Sequence, residues 1–194
     1  MSYPAPDEAP GPGRPAWPEG YRTGYPPPRH HGPGTADAVL RPGARGPDLR
    51  FPAGGAVHHL ATQASTGGEY GLFRWDMAAG PGGPGPHLHR GMSEAFFVLE
   101  GSVALFDGTG WTDGVPGDFL FVPVGGVHAF RNVSGAPASM LMLFAPGAPR
   151  ETYFAELAAV AADGRTLAEE EWTALYARHD QEMVDPATLP GYAR

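Results

Sequence analysis

The chain contains no cysteine and no lysine. Without cysteine there is no disulfide framework, no thiolate metal site and no thiol nucleophile. Without lysine there is no Schiff base and no amine base, and all thirteen basic residues are arginine. These cations are outnumbered by twenty-one carboxylates, for a net charge of −8. That balance argues against nucleic acid, whose phosphates need a basic face. No apolar run approaches the length of a membrane span. The first residues lack the basic-then-apolar pattern of a secretion signal and carry Asp7 and Glu8 instead. The expectation is a cytoplasmic protein that engages neither nucleic acid nor membrane.

Glycine and proline are abundant but unevenly placed. Residues 1–50 hold twelve prolines and eight glycines among scattered apolar residues. Such a stretch buries too little surface to offset its ordering entropy. Residues 1–35 therefore read as a disordered or draped Pro/Gly-rich tail, with His30-His31 as a solvated pair. From Val57 onward, short apolar runs alternate with glycine-rich turns, the pattern of an all-β sandwich or barrel. Strands are expected at 57–63, 70–77, 85–89, 94–106, 119–122, 128–132 and 140–144. Glu100-Gly101 marks a bend within the longest run, and Asp107-Gly108-Thr109-Gly110 a hairpin turn. After Pro149 the period changes. Phe154, Leu157, Ala158 and Ala161 recur at helical spacing, with Gly164 as a stop. Thr166-x-x-Glu169 then resembles a capping box opening a second helix.

The chemistry concentrates in His87-Leu88-His89, Glu94 and, far downstream, His128. Alternate residues of a strand share a face, so His87 and His89 present two imidazoles side by side. Glu94 lies at an odd offset from His89, and Arg90-Gly91-Met92-Ser93 can turn the chain so that Glu94 opens the next strand facing inward. His128 follows the turn-rich Pro123-Val124-Gly125-Gly126. Three imidazoles and one carboxylate suit one divalent transition metal (Fe, Mn, Ni, Co, Cu or Zn), and they leave coordination positions open for chemistry. Period-two geometry places Phe96 and Val98 on the same face as Glu94, and Phe130 on the same face as His128. With Trp75 and Met142 from neighbouring runs, these are the candidate wall of an apolar substrate pocket, each also a natural core residue. The basic residues near the motif are Arg74, Arg90 and Arg131, too few for a multiply charged sugar phosphate.

The spacing His87-x-His89-x4-Glu94-x6-Gly101, followed by Gly117-x5-Pro123-x-Gly125-x2-His128-x3-Asn132, resembles the paired motifs of the cupin superfamily. One position departs: Pro81, flanked by Gly80 and Gly82, stands where the family usually has a glycine six residues before the first histidine. The resemblance covers residues 69–146. It implies an all-β cupin double-stranded β-helix, or jelly-roll sandwich, with C-terminal helices. The domain reading is a tail over 1–35, a cupin sandwich over 36–149 and a helical extension packed on it over 150–194. Within the superfamily the chain is most similar to single-domain, quercetinase-like dioxygenases, through the short inter-motif segment and the Phe144-Ala145-Pro146-Gly147 exit into a helix. That likeness implies a small-molecule substrate with an aromatic or enolisable group, Glu94 as ligand and proton acceptor, and a homodimer. Two alternatives stay open: a non-oxidative metal cupin (cyclase, isomerase or lyase) and a small-molecule-binding cupin.

Overall fold

The structure is a computed structural model that describes residues 28–193. Most of the expected tail over 1–35 lies outside the described residues. Residues 28–40 form no helix or strand and are exposed. The compact unit begins at Arg41.

Eleven strands build it among the described residues: β1 (Leu49–Arg50), β2 (Ala56–Ala61), β3 (Gly71–Met77), β4 (His87–Leu88), β5 (Ser93–Glu100), β6 (Val103–Phe106), β7 (Trp111–Gly114), β8 (Phe119–Val122), β9 (Ala129–Arg131), β10 (Ala138–Ala145) and β11 (Glu182–Met183). One sheet runs β1-β2-β3-β10-β5-β8, a second runs β7-β6-β9, and a short third pairs β11 with β4. All pairings are antiparallel. Valine and aromatic residues on β2, β3, β5 and β10 meet those of β6 and β9 in one hydrophobic core. This is the all-β jelly-roll sandwich that the motif resemblance implies.

Alternation along β5 shows how pattern becomes register. Glu94, Phe96 and Val98 are buried while Phe97 is 38% exposed, so one face of the strand meets the core and the other does not. The bend expected after Glu100 is real. Gly101 has φ +73°, and a Cβ there would lie 2.5 Å from the Pro137 carbonyl oxygen, so β5 ends and β6 begins at a residue only glycine can supply. The displaced glycine of the first motif is also resolved. Gly83, at φ +136°, packs against the backbone of Phe130, where a Cβ would meet the carbonyl oxygen at 2.0 Å. This close approach falls two residues after Pro81.

Three helices accompany the sheets. The four-residue α1 (Gln63–Thr66) takes Gln63 out of the strand in which the pattern placed it, because Thr62 and Ser65 form a capping box. The second helix, α2 (Arg150–Asp163), stops at Gly164 in the left-handed conformation, as expected. The third, α3 (Glu169–Arg178), begins later than the Thr166 box suggests. Ala168 is the extended N-cap, at φ −67° and ψ 161°, and Glu171 caps the helix start by accepting the Ala168 N–H at 2.9 Å. Phe154 of α2 meets Phe73 and Trp75 with ring centroids 5.1 and 5.4 Å apart, anchoring the helix on β3. Burying one such ring contributes roughly 1.5–3 kcal/mol.

Candidate metal centre

The ladder of the sandwich brings the distant histidines together. His87 and His128 exchange both backbone hydrogen bonds, at 3.0 and 2.9 Å, and Gly125 N–H donates to the His89 carbonyl at 2.8 Å. Glu94 arrives from β5, the next strand along the chain. The four side chains are at most 3% exposed. One ligand atom from each lies within 4.8 Å of all the others. Ligands held 2.0–2.2 Å from one ion sit at most about 4.4 Å apart, so the cluster matches a single-ion site to within a few tenths of an ångström.

The imidazole tautomers follow from what each ring touches. Nδ1 of His87 faces the Gly85 carbonyl at 2.9 Å, Nδ1 of His128 the Gly126 carbonyl at 3.1 Å, and Nδ1 of His89 the Asp180 carbonyl. A carbonyl oxygen only accepts, so each Nδ1 carries a proton and each ring turns its Nε2 into the cluster. This backbone fixing of the outer nitrogen is the usual support of a metal-ligating histidine. Glu94 Oε2 meets Nε2 of His128 at 2.8 Å and of His89 at 3.1 Å. An imidazole nitrogen this close to a carboxylate oxygen needs a cation between them, either a proton or a metal ion. The donor set, three nitrogens and one oxygen with no sulfur, fits a borderline transition metal.

Electrostatics point the same way. Burial, with His128 alongside, pushes the His87 imidazole down to about 3, so it is neutral and able to ligate at ordinary pH. Burial alone would raise the Glu94 carboxyl, but the bonded His128 and His89 outweigh it and hold the group well below the usual carboxylate range. Burial likewise opposes charge on His128, yet its bond to Glu94 raises the imidazole's proton affinity.

A cavity of about 280 Å³ opens beside His87 and Glu94. Trp75, Phe130 and Met142 line it. Phe96 and Val98 are fully buried and are not among its lining residues. Phe96 is one step deeper, its ring centroid 5.8 Å from that of His128 and 5.5 Å from that of Phe130, so it supports the wall from behind. The three arginines nearest the motif in sequence are occupied elsewhere. Arg74 pairs with Asp76, Arg90 with Glu182, and Arg131 lies over the Trp111 ring.

Sequence reasoning missed the far side of the cavity, which the C-terminal segment supplies. Arg150, Tyr153, Phe154, Leu157 and Ala161 form one face of α2 over the cavity, with Trp172 and Tyr176 of α3 and Gln181 beyond. Burial pushes the Tyr153 phenol up to about 12, so it stays protonated. Asp180 ties the segment to the ligand loop. Its carboxylate accepts the N–H groups of Arg90 at 2.9 Å and Gly91 at 2.8 Å, while its carbonyl holds His89. The one available signal was Arg150 and Tyr153 standing at helical spacing before the apolar stripe.

Residues 73–144 match the cupin domain family. The antiparallel sandwich and both motifs agree with this match, which gives this stretch of the chain a cupin fold. Over 90 residues it is 34% identical to quercetin 2,3-dioxygenase of Bacillus subtilis (strain 168), covering 42% of this chain and 24% of that one. Over 87 residues it is 37% identical to germin-like protein subfamily T member 3 of Arabidopsis thaliana, covering 42% of this chain and 38% of that one. The chain thus spans well under half the length of either relative. Among solved structures it is similar to the polyketide cyclase RemF of Streptomyces resistomycificus, at 22% identity and a TM-score of 0.46, covering 59% and 82% of the two chains. No helix among the described residues is long and apolar enough to cross a membrane.

Proposed function

We propose that this protein is a metal-dependent dioxygenase acting on a small aromatic or enolisable molecule, with His87, His89, Glu94 and His128 as the ligands. The observation that carries the reading is the placement of a four-donor buried cluster at one side of an aromatic cavity. The partial likeness to a quercetin dioxygenase supports the oxidative branch. When bound, the metal supplies Lewis-acid polarisation of a substrate oxygen and, if redox-active, the electron transfer that lets an organic substrate react with dioxygen.

The remaining work falls to the chain's own residues. Glu94, whose side chain lines the cavity at the cluster, accepts the proton of a substrate hydroxyl or enol. Trp75, Phe130 and Met142 give the ring an apolar surface, and α2 with α3 shields that face from water. Ligand pockets usually run from roughly 300 to 1,000 Å³. At about 280 Å³, this cavity suits a substrate of one or two rings better than a larger one.

The test is oxygen uptake by protein loaded in turn with Fe, Mn, Ni, Co, Cu or Zn, across a panel of flavonols, catechols and 1,3-diketones. Consumption of one dioxygen per substrate is the expected result. Turnover of a substrate without oxygen uptake would overturn the dioxygenase reading in favour of a cyclase, isomerase or lyase.

A further inference from the structure

Arg150 is the least expected residue of the cavity. It is 3% exposed, at the first position of α2, and it lines the same space as Glu94 and His87. A buried guanidinium normally carries a carboxylate with it, because an unpaired charge out of water is costly. Arg41, Arg45, Arg74, Arg90, Arg165 and Arg178 all pair with carboxylates within 3.0 Å. Arg150 has no such partner among the described residues. Its Nη1 donates to the His179 carbonyl at 2.9 Å, its Nη2 reaches the Gln181 amide oxygen only at 3.5 Å, and its Nε is buried without a partner. The planar group is braced by the rings of Tyr153, 4.0 Å away, and Phe144, 5.0 Å away. Nε and Nη2 form the edge of a guanidinium that grips a carboxylate with two parallel bonds.

The charge balance of the cavity agrees. Glu94 is the one carboxylate among the described residues that line the cavity, set against Arg150 and, when bound, a divalent ion. We propose that Arg150 is the anion-binding residue of this cavity and that the true substrate is an aromatic or enolisable carboxylate, its charged group on the guanidinium and its reacting oxygen at the metal cluster. This rests on the cavity beside the cluster being the substrate site. Gln181, within reach of Nη2, and the protonated Tyr153 supply neutral polar contacts around the same group. A single cation selects one carboxylate, in keeping with the absence of a basic cluster around the motif.

The experiment uses full-length protein loaded with redox-inert Zn, titrated with benzoate and with its neutral isostere benzamide. Quenching of the tryptophans that line the cavity, Trp75 and Trp172, reads out binding. Wild type should prefer benzoate by about tenfold or more, one charge-assisted pair's worth. Arg150→Gln should abolish the preference while zinc content stays unchanged, and Arg150→Lys should restore part of it. Because carboxylates also coordinate zinc, the wild-type titration is repeated after chelation. A preference that survives metal removal supports Arg150, and one that vanishes assigns the carboxylate to the metal. Equal binding of the two probes, no binding of benzoate at millimolar concentration, or a preference kept by Arg150→Gln would overturn the proposal. The chelated wild type decides the matter even if the glutamine variant does not fold. Neither probe is turned over, so the outcome is independent of whether the reaction consumes dioxygen.

Discussion

Asp180→Ala tests whether the C-terminal segment is part of the metal centre. Asp180 sits at φ +52°, a left-handed conformation that aspartate tolerates and alanine resists. Its carboxylate satisfies two consecutive backbone N–H groups, those of Arg90 and Gly91, directly after the ligand His89. Each lost bond costs about 1 kcal/mol at this partly exposed position, and alanine in the left-handed region about 1 kcal/mol more. The expected destabilisation is about 2–3 kcal/mol, a fall in Tm of about 4–12 °C for a chain of this size. The functional consequence should be larger. The same residue's carbonyl fixes the His89 tautomer, and loosening such a support typically lowers metal affinity about 10–100-fold. Competition for zinc against a fluorescent chelator measures that affinity, and scanning fluorimetry the Tm. Asp180→Asn, which keeps one acceptor and tolerates the left-handed region, should fall between wild type and alanine. Unchanged zinc affinity in Asp180→Ala, with or without loss of stability, would refute the argument that this segment orients His89.

Glu94→Gln should keep much of the metal, since three imidazoles remain, while cutting turnover of any oxygen-consuming substrate by roughly 10²-fold; full activity would remove Glu94 as the proton acceptor. Phe73→Ala should destabilise by about 3–5 kcal/mol, because its fully buried ring packs edge-on against Phe144 and Phe154; a loss below about 1 kcal/mol in urea titration would mean the core rearranges there. The protein should be a homodimer. Phe119 and Phe121 are 64% and 58% exposed on β8, which among the described residues is an edge strand paired only with β5, and light scattering of wild type should give twice the 20.4 kDa chain mass. A monomeric mass at micromolar concentration would contradict this.

How much of this was legible in the sequence depends on the distance over which each feature is encoded. Strand alternation is local, so Glu94, Phe96 and Val98 fall on one face of β5 and the split at Gly101 is where a left-handed residue was available. The spacing of His87, His89, Glu94 and His128 is a local pattern twice over, and the structure draws these residues together through one antiparallel bridge. The far wall is a different matter. Arg150, Tyr153 and Gln181 reach the cavity through the packing of α2 and α3, and Asp180 meets Arg90 and Gly91 about ninety residues away. No periodicity encodes those meetings. For the same reason Arg74 and Arg90, beside the motif in sequence, serve ion pairs with Asp76 and Glu182, and Arg131 lies over Trp111, whereas the arginine that lines the cavity lies outside both motifs. The start of α3 illustrates a smaller version of this. Thr166 and Glu169 offered one capping box, and the helix instead starts after Ala168, whose N–H Glu171 accepts.

The most direct measurement is metal content. Full-length protein purified without chelator, analysed by plasma mass spectrometry, should carry close to one equivalent of a transition metal per chain. His87→Ala and His128→Ala should each lose it while remaining folded by circular dichroism. Full metal retention in both variants would contradict the centre proposed at His87, His89, Glu94 and His128.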